Sequence, residues 1–443
     1  MVLQAYPQCL SYLFFACLRP FRISRIMKIC IVGLGYVGLP AACVLAQSGH
    51  EVVGVEIRSD VVEGLNKGQI HIDEPGLHDL LQEALTNGRF RAQTTPESAD
   101  AFILCVPTPF KDGYQPDLSY VEAAARSVLP VLKKNDLVVV ESTIPVGATE
   151  KVAALIRTAR SELTQDLLHV AHCPERVLPG NAIREIIYND RVVGGTTTEA
   201  TQRASRLYRS FSRGTVAETT ANTAELSKLA ENTFRDINIA YANELSMLCT
   251  ECSVDAQELI RIANMHPRVN IHSPGAGVGG HCIPVDPWFI VSRFPREAAL
   301  IRAAREVNIQ KETWVVDQVL QAAQSYDVQQ VVIAGLTYKP DVDDFRESPA
   351  LRITERISAR LSLPLIGVDP YVEKLEQECS VNFKLQSNIP LKENTLIVVL
   401  VNHRQFGAAL SEIENLDNIV LMDCGNGTGQ PRLINASKVE LVA

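Results

Sequence analysis

The sequence predicts an α/β protein: two doubly wound, parallel-sheet domains joined by a helical central region. Three observations carry that expectation. In the first half, short apolar runs such as "AFILCV" (101–106) and "DLVVVES" (136–142) alternate with helical stretches. From about Thr220 the character changes, and "TAELSKLAENTFRDINIAYANELSMLC" (223–249) has neither Gly nor Pro. A strand closed by glycine then begins again at "QQVVIAGLTYKP" (329–340). Buried strands alternating with helices build parallel sheets, whereas an uninterrupted polar–apolar run suits one long helix.

Taken in order, Ile29 to Gly33 reads as a first strand ending in glycine, Tyr36 to Gln47 as a helix, and "HEVVGVEI" (50–57) as a second strand. The two apolar runs above supply further strands. The long helix from about Thr220 is followed by more helix to about Ala263, then by the glycine-rich "GAGVGGHCIPVDPW" (275–288). A second helical run, "EAALIRAAREVNIQKETWVVDQVLQAAQ" (297–324), precedes the restarted pattern, whose later strands are "LPLIGVD", "TLIVVLVN" and "NIVLMD". The expected division is 27–215, 216–325 and 326–443, with residues 1–26 a leader that is disordered or not native. Its "CLSYLFFACL" (9–18) is too short to span a bilayer, and its arginines follow the apolar core where a signal peptide carries them before it.

Composition narrows the function classes. The 443 residues are 46% apolar and 21% charged, as in a soluble globular protein, and the net charge of −9 argues against a nucleic-acid partner. Eleven scattered cysteines, an odd number, suit reduced thiols in the cytoplasm. "CTEC" (249–252) has metal-site spacing without a second pair, so it reads as helix interior and no metal is expected.

Gly33-Leu34-Gly35-Tyr36-Val37-Gly38 matches G-x-G-x-x-G between a strand and a helix, with Glu56 at the end of the next strand. That context makes it a dinucleotide site. Gly33 permits the turn, Gly35 lets a pyrophosphate approach backbone amides, and Gly38 lets the helix pack against the sheet. Glu56 would accept from ribose hydroxyls and repel a 2′-phosphate, favouring NAD, while Arg58 pairs either with such a phosphate or with Glu56 itself. Thr108 in "CVPTP", and Thr143 and Thr149 in "ESTIPVGAT", end strands of the same sheet and are candidate cofactor or water contacts, or else turn and helix caps.

On the long helix Lys228, Asn232 and Arg235 share one face, which is either a functional set or a solvated stripe. "CPERVLPG" (173–180) and "HPRVN" (266–270) pack charge beside proline or glycine in loops. Cys282 stands between glycines and Asp286, where a core cysteine would need neither.

From Met27 onward the chain resembles the UDP-glucose/GDP-mannose dehydrogenase family. The matching features are the glycine fingerprint, "VPTP", "EST…PVG", the "PER" segment, "AELSKLAENTFRD", "GGHC…D" and "KPDVDDFRESP". "CPERVLPG", "HPRVN" and "GGHCIPVDPWFI" are most similar to the branch acting on UDP-N-acetyl-D-mannosamine. The resemblance implies a Rossmann-like NAD domain, a helical dimerisation region and a Rossmann-like domain that holds UDP. It implies four-electron oxidation of a sugar C6 alcohol to the uronic acid, with Cys282 as nucleophile, for cell-surface polysaccharide synthesis. Lys228 and Asn232 would bind the oxygen that changes charge, and Glu175, Asp286 and Thr143 would position or activate water. Arg176, Val177, Arg235, His266, Arg268, Gly279, Tyr338 and Lys339 would contact the substrate, and Arg346 the NAD. Arg268 would reach a neighbouring subunit's site, so a homodimer or larger assembly is implied. Gly277, Gly279 and Gly280 are expected to let the sugar nucleotide approach the backbone. The chain departs from the pattern at Gly425, where the family often has a basic residue, and at Glu56, where Asp is more usual. UDP-N-acetylglucosamine or UDP-glucose as substrate, a two-electron hydroxy-acid dehydrogenase that leaves Cys282 idle, and a non-catalytic nucleotide-sugar binder stay open.

Overall fold

The structure, a computed structural model, describes residues 25–178, 180–326, 328–413, 416, 418–425 and 431–434. Almost all of the 1–26 leader, and Pro179 of "CPERVLPG", lie outside the described residues. The chain forms two compact units, one running to Leu229 and the other from Ala230.

In the first unit the strands are β1 (Lys28–Val32), β2 (Glu51–Val55), β3 (Phe90–Gln93), β4 (Ala101–Leu104), the short β5 (Phe110–Lys111) and β6 (Gln115–Pro116), β7 (Leu137–Val140), β8 (His169–His172), β9 (Arg191–Gly195) and β10 (Val216–Thr220). β5 and β6 pair as a hairpin, and the others form one sheet ordered β10-β9-β8-β7-β4-β1-β2-β3. Alternate β1 side chains feed opposite faces. Ile29 and Ile31 enter one buried cluster, Cys30 and Val32 the other. A strand covered on both faces reads as a continuous apolar run, which is why β1, β4 and β7 were legible.

The sheet is parallel except at one edge. β9 pairs antiparallel with β8, and β10 follows β9 in parallel, so the last two strands run against the rest. β8 ("HVAH"), β9 ("RVVGG") and β10 ("VAETT") carry histidine, glycine or hydroxyl residues, and no apolar run announced them.

The second unit holds most of the long helix, Ala221–Glu251, whose first residues belong to the first unit. A turn with Ser253 at positive φ separates it from the Ala256–Ala263 helix, which Asp255 caps at the amides of Gln257 and Glu258. The Asp286–Arg293 and Ala299–Ser325 helices follow. The sheet contains β11 (Gln330–Ala334), β12 (Leu365–Val368), β13 (Lys384–Gln386), β14 (Thr395–Val399), β15 (Ile419–Asp423) and β16 (Pro431–Ile434), in the order β13-β12-β11-β14-β15-β16. Here too one strand departs from the parallel pattern, since β16 pairs antiparallel with β15. β11 again feeds two cores, Val331 and Ile333 on one face and Val332 and Ala334 on the other. In both sheets the first strand lies between the second and the next core strand, so each has a reversal of strand order where loops diverge.

Candidate active site

The glycine turn of the first unit is built by three different constraints. Gly33 has φ +95°, and a Cβ there would lie 2.4 Å from the Cys105 carbonyl oxygen. A Cβ on Gly38 would lie 1.9 Å from the Gly33 carbonyl oxygen, so the helix starting at Gly38 can sit this close only without a side chain. Gly35 is exposed and faces open space, where a Cβ would meet nothing within 4 Å. Tyr36 is exposed and Val37 half-buried beside it. This cradle fits a dinucleotide pyrophosphate at a helix N-terminus. Glu56 is half-buried at the end of β2, reached by the amides of Leu34 at 3.4 Å and Arg58 at 3.2 Å. The Arg58 guanidinium pairs with Asp60 at 2.6 Å.

At the ends of β4 and β7 the threonines separate. Thr108 and Thr143 are half-buried. Ser142, which sequence reasoning passed over, holds the "CVPTP" loop by accepting from the Val106 amide and donating to the Val106 carbonyl. Thr149 is fully buried, and its amide and hydroxyl both donate to Glu225 at 2.7 and 2.6 Å. Glu225 also takes the Gly147 amide and so caps the Ala148–Ala159 helix from a distance. Thr149 thus anchors the start of this helix to Glu225.

Glu175 follows β8 and is nearly buried. Arg191 pairs with it at 3.2 Å, and the Arg176 amide donates to it at 2.6 Å. Arg191 is itself buried, with Tyr208 and Phe211 rings against its guanidinium. Burial disfavours the guanidinium charge, but Glu175 and the neighbouring acidic groups outweigh it and raise the pKa. Glu141 lies behind Glu175, fully buried, accepting from the Tyr208 hydroxyl at 2.6 Å and the Cys105 thiol at 3.0 Å. Desolvation, reinforced by Glu175, raises its pKa. The Arg176 guanidinium donates to the Asp190 carbonyl, and Val177 packs against the apolar core.

On the long helix, Lys228 and Asn232 are both buried, whereas Arg235 is exposed, so the shared face is not a uniform solvated stripe. In the second unit Asn232 donates to Asp286 at 2.5 Å, and Asp286 is 2% exposed at the start of its helix. Cys282 is exposed one turn earlier, and its carbonyl accepts from the Asp286 amide at 2.9 Å. The preceding glycines do not open onto a ligand on their side-chain face. A Cβ on Gly277 would meet Pro349 at 2.7 Å, and one on Gly279 would meet Pro349, the Glu347 carbonyl and Tyr338 within 2.9 Å. On that face they let the loop lie against protein.

Tyr338 and Lys339 are half-buried in the loop after β11. Burial, Asp344 and Cys282 together raise the Tyr338 pKa. Arg346 pairs with Asp344 at 2.8 Å, and His281 approaches the same carboxylate at 3.3 Å. Burial opposes ionisation of Asp344, but hydrogen bonds from His281 and Arg346 outweigh it and hold the carboxyl well below its usual range. His266 and Arg268 are exposed on a loop that Asn264 ties off by bonding both the amide and the carbonyl of Ile271. At Gly425 a Cβ would lie 3.0 Å from the Leu400 carbonyl, a close backbone approach.

A glycine-cradled dinucleotide turn, an acid ending the next strand and an exposed thiol ahead of a buried Asn–Asp pair define a Rossmann-type NAD-dependent oxidoreductase. Residues 27–212 match the NAD binding domain of the UDP-glucose/GDP-mannose dehydrogenase family, 222–310 its central domain and 332–429 its UDP binding domain. The chain belongs to this family and is an NAD-dependent UDP-sugar dehydrogenase. It is 50% identical over 385 residues to an NDP-N-acetyl-D-galactosaminuronic acid dehydrogenase of Ralstonia nicotianae, covering 85% of this chain and 91% of that one. It is 47% identical over 407 residues to the UDP-N-acetyl-D-mannosamine dehydrogenase of Escherichia coli, covering 88% and 96%. The UDP-D-ManNAc dehydrogenase structure from Pyrococcus horikoshii superposes with a TM-score of 0.82 at 37% identity, covering 93% and 98%. Among the described residues no helix is long and apolar enough to cross a membrane.

Proposed function

We propose that the chain oxidises the C6 alcohol of UDP-N-acetyl-D-mannosamine to the uronic acid through a covalent adduct on Cys282, for cell-surface polysaccharide synthesis in the cytoplasm. The observation that carries this reading is the exposed Cys282 thiol one turn ahead of the buried Asp286 carboxylate held by Asn232. NAD, when bound at the Gly33–Gly38 turn, accepts the hydride lost in each of two oxidations. Lys228 and Asn232 hold the substrate oxygen as its charge changes, and Lys228 passes its proton. The Cys282 thiolate adds to the aldehyde carbon, forming a C–S bond while the carbonyl oxygen takes a proton. Loss of the second hydride, with the hydroxyl proton passing to Lys228, leaves a thioester. Water held by Glu175, Asp286 and Thr143 attacks that carbon, the C–S bond breaks, and the sulfur leaves as thiolate. Arg176, Val177, Arg235, His266, Arg268, the Gly279 backbone, Tyr338 and Lys339 hold the sugar nucleotide, and Arg346 contacts NAD.

A homodimer belongs to the same reading, with Arg268 serving the neighbouring subunit. Phe234, Tyr241 and Leu248 support it: they recur every seven residues on the long helix and are 64%, 53% and 55% exposed.

A second reading, an NDP-linked N-acetyl-D-galactosamine-type sugar of the kind named for the Ralstonia protein, is favoured by the 50% identity to it. A panel of UDP-sugars read by NADH absorbance decides between them, and two NADH per uronate are expected. Cys282→Ser should bind substrate and NAD but lose acid formation by about three or more orders of magnitude, because a serine hydroxyl stays protonated near neutral pH. Near wild-type turnover of alcohol and aldehyde by the serine variant would overturn the nucleophile assignment.

A further inference from the structure

The segment that carries Cys282 is stitched to the long helix by three asparagines. Asn238 accepts from the His272 amide at 2.9 Å and donates to the Asn270 carbonyl at 3.2 Å. Asn243 accepts from the Gly275 amide at 2.9 Å. Asn232 donates to Asp286 at 2.5 Å. Cys282 lies between the second and third stitches.

The Asn243 stitch is backed by a chain of groups that leaves its amide only one orientation. Asn243 and Asn308 are buried, at 0% and 1% exposure. Arg305 pairs with Asp236 at 2.6 Å, and neither side chain is more than 6% exposed. The Asn308 amide nitrogen donates to the same Asp236 oxygen at 2.8 Å and to the Asp236 carbonyl at 3.2 Å. Its oxygen therefore faces Asn243, which must present its nitrogen at 2.9 Å. The Asn243 oxygen is then the atom left to meet the Gly275 amide. Flipping either amide would set donor against donor or acceptor against acceptor in a buried place. The next residue, Ala276, is locked from the other side in the apolar cluster that includes Val315, Val331 and Ala350, and Gly277 lies against Pro349.

We propose that Asn243, oriented through Asn308 by the Asp236–Arg305 pair, is a positioning residue that sets the register of the Cys282 loop. A helix pair needs no such network to pack, since apolar residues of similar volume do so as well or better. What the network adds is direction, one acceptor aimed at one loop amide. The inference rests on Cys282 being the nucleophile.

The test compares Asn243→Ala and Asn308→Ala with wild type in full-length protein. Expected for Asn243→Ala is a fall of about 10- to 100-fold in oxidation of the 6-aldehyde, the size a small misplacement of a reacting group produces. KM for the UDP-sugar should change less than about threefold. Asn308→Ala should show the same pattern, weaker. Alkylation of Cys282 by iodoacetamide, followed by mass spectrometry, should change in rate in both variants. Wild-type kcat in a folded Asn243→Ala, or a loss confined to KM, overturns the proposal. Hydrogen exchange on the wild-type protein needs no variant to fold: the Gly275 amide should be protected like amides inside the Ala299–Ser325 helix. Exchange as fast as an exposed loop amide refutes the stitch. Cys282→Ser separates the two readings. If it keeps acid formation, the nucleophile assignment fails. If it abolishes acid formation while Asn243→Ala does not slow it, only the positioning role fails.

Discussion

The two sheets begin alike and then use the same place differently. Each first strand ends in a glycine at positive φ, Gly33 at +95° and Gly335 at +86°. At each, a Cβ would strike a backbone oxygen beyond the adjacent strand, Cys105 at 2.4 Å and Val401 at 2.1 Å. Each second strand is followed by an acid. Glu56 is half-buried and meets two amides at 3.2 Å or more, so its carboxylate has capacity left for a ligand. Asp369 is fully buried and consumed internally by the amides of Leu336, Thr337 and Tyr371. It also faces His403 Nε2 at 3.2 Å. The Asp341 amide donates to His403 Nδ1, so the ring proton sits on Nε2 and points to Asp369 and Thr337. The first turn enters its helix at Gly38, but the second runs on as a braced loop carrying Tyr338 and Lys339 before the helix at Pro349. Topology places a ligand site at the strand ends, and the loop chemistry decides what the site reads.

That comparison can be broken at several points. The largest effect is expected from alanine at the matched glycines. Gly33→Ala and Gly335→Ala should each cost about 3 kcal/mol or more, because strain at positive φ adds to a backbone clash. Gly35→Ala, facing open space, should leave the urea midpoint nearly unchanged while weakening NAD binding at least about tenfold by calorimetry. Equal destabilisation by all three would remove the distinction between turn and cradle.

Acid should strike the first sheet through β8. His172 is fully buried and donates from Nδ1 to the Val140 carbonyl, and burial lowers its pKa to about 4. The folded state then binds fewer protons than the unfolded chain between pH 6.5 and 4. Its stability contribution is complete above about pH 6.5 and is lost as pH falls towards 4, on the order of 3 kcal/mol. Urea midpoints between pH 7 and 4 should fall more steeply for wild type than for His172→Gln, and parallel slopes would contradict this.

Asp369→Asn should cost about 1.5–3 kcal/mol, as charge-assisted bonds to buried amides are lost, with no change in NAD affinity. Glu56→Gln is the smallest change. Stability should move by about 0.5 kcal/mol or less. The preference for NAD over NADP should narrow by about tenfold in kcat/KM, because a carboxylate that repels the 2′-phosphate is gone. Equal efficiency with both cofactors in the wild type would remove the role given to Glu56.

By itself the sequence determined the two α/β halves, the long helix between them and the dinucleotide turn. These rest on local signals: apolar runs buried on both faces, a stretch without Gly or Pro, and glycines at fixed spacing before a helix. Cys282 and Asp286 stood out for a related reason, since a thiol between glycines and an acid has no local structural purpose, whereas Lys228 and Asn232 showed only a shared helix face that a solvated stripe would also give. Only the tertiary structure decided strand direction at β9 and β16, because direction depends on which edge a short strand joins. Only it turned Thr149 inward to Glu225, aimed Arg58 at Asp60 and packed Gly277 and Gly279 against Pro349. The partners Arg191, Asn243, Asn308 and His403 were also out of reach. Asn222, Asn232, Asn238 and Asn243 in one helix were a faint signal, since asparagine disfavours helix interiors. What each amide is for depends on groups dozens of residues away, and a buried polar group acquires its meaning only when folding brings its partner within hydrogen-bond reach.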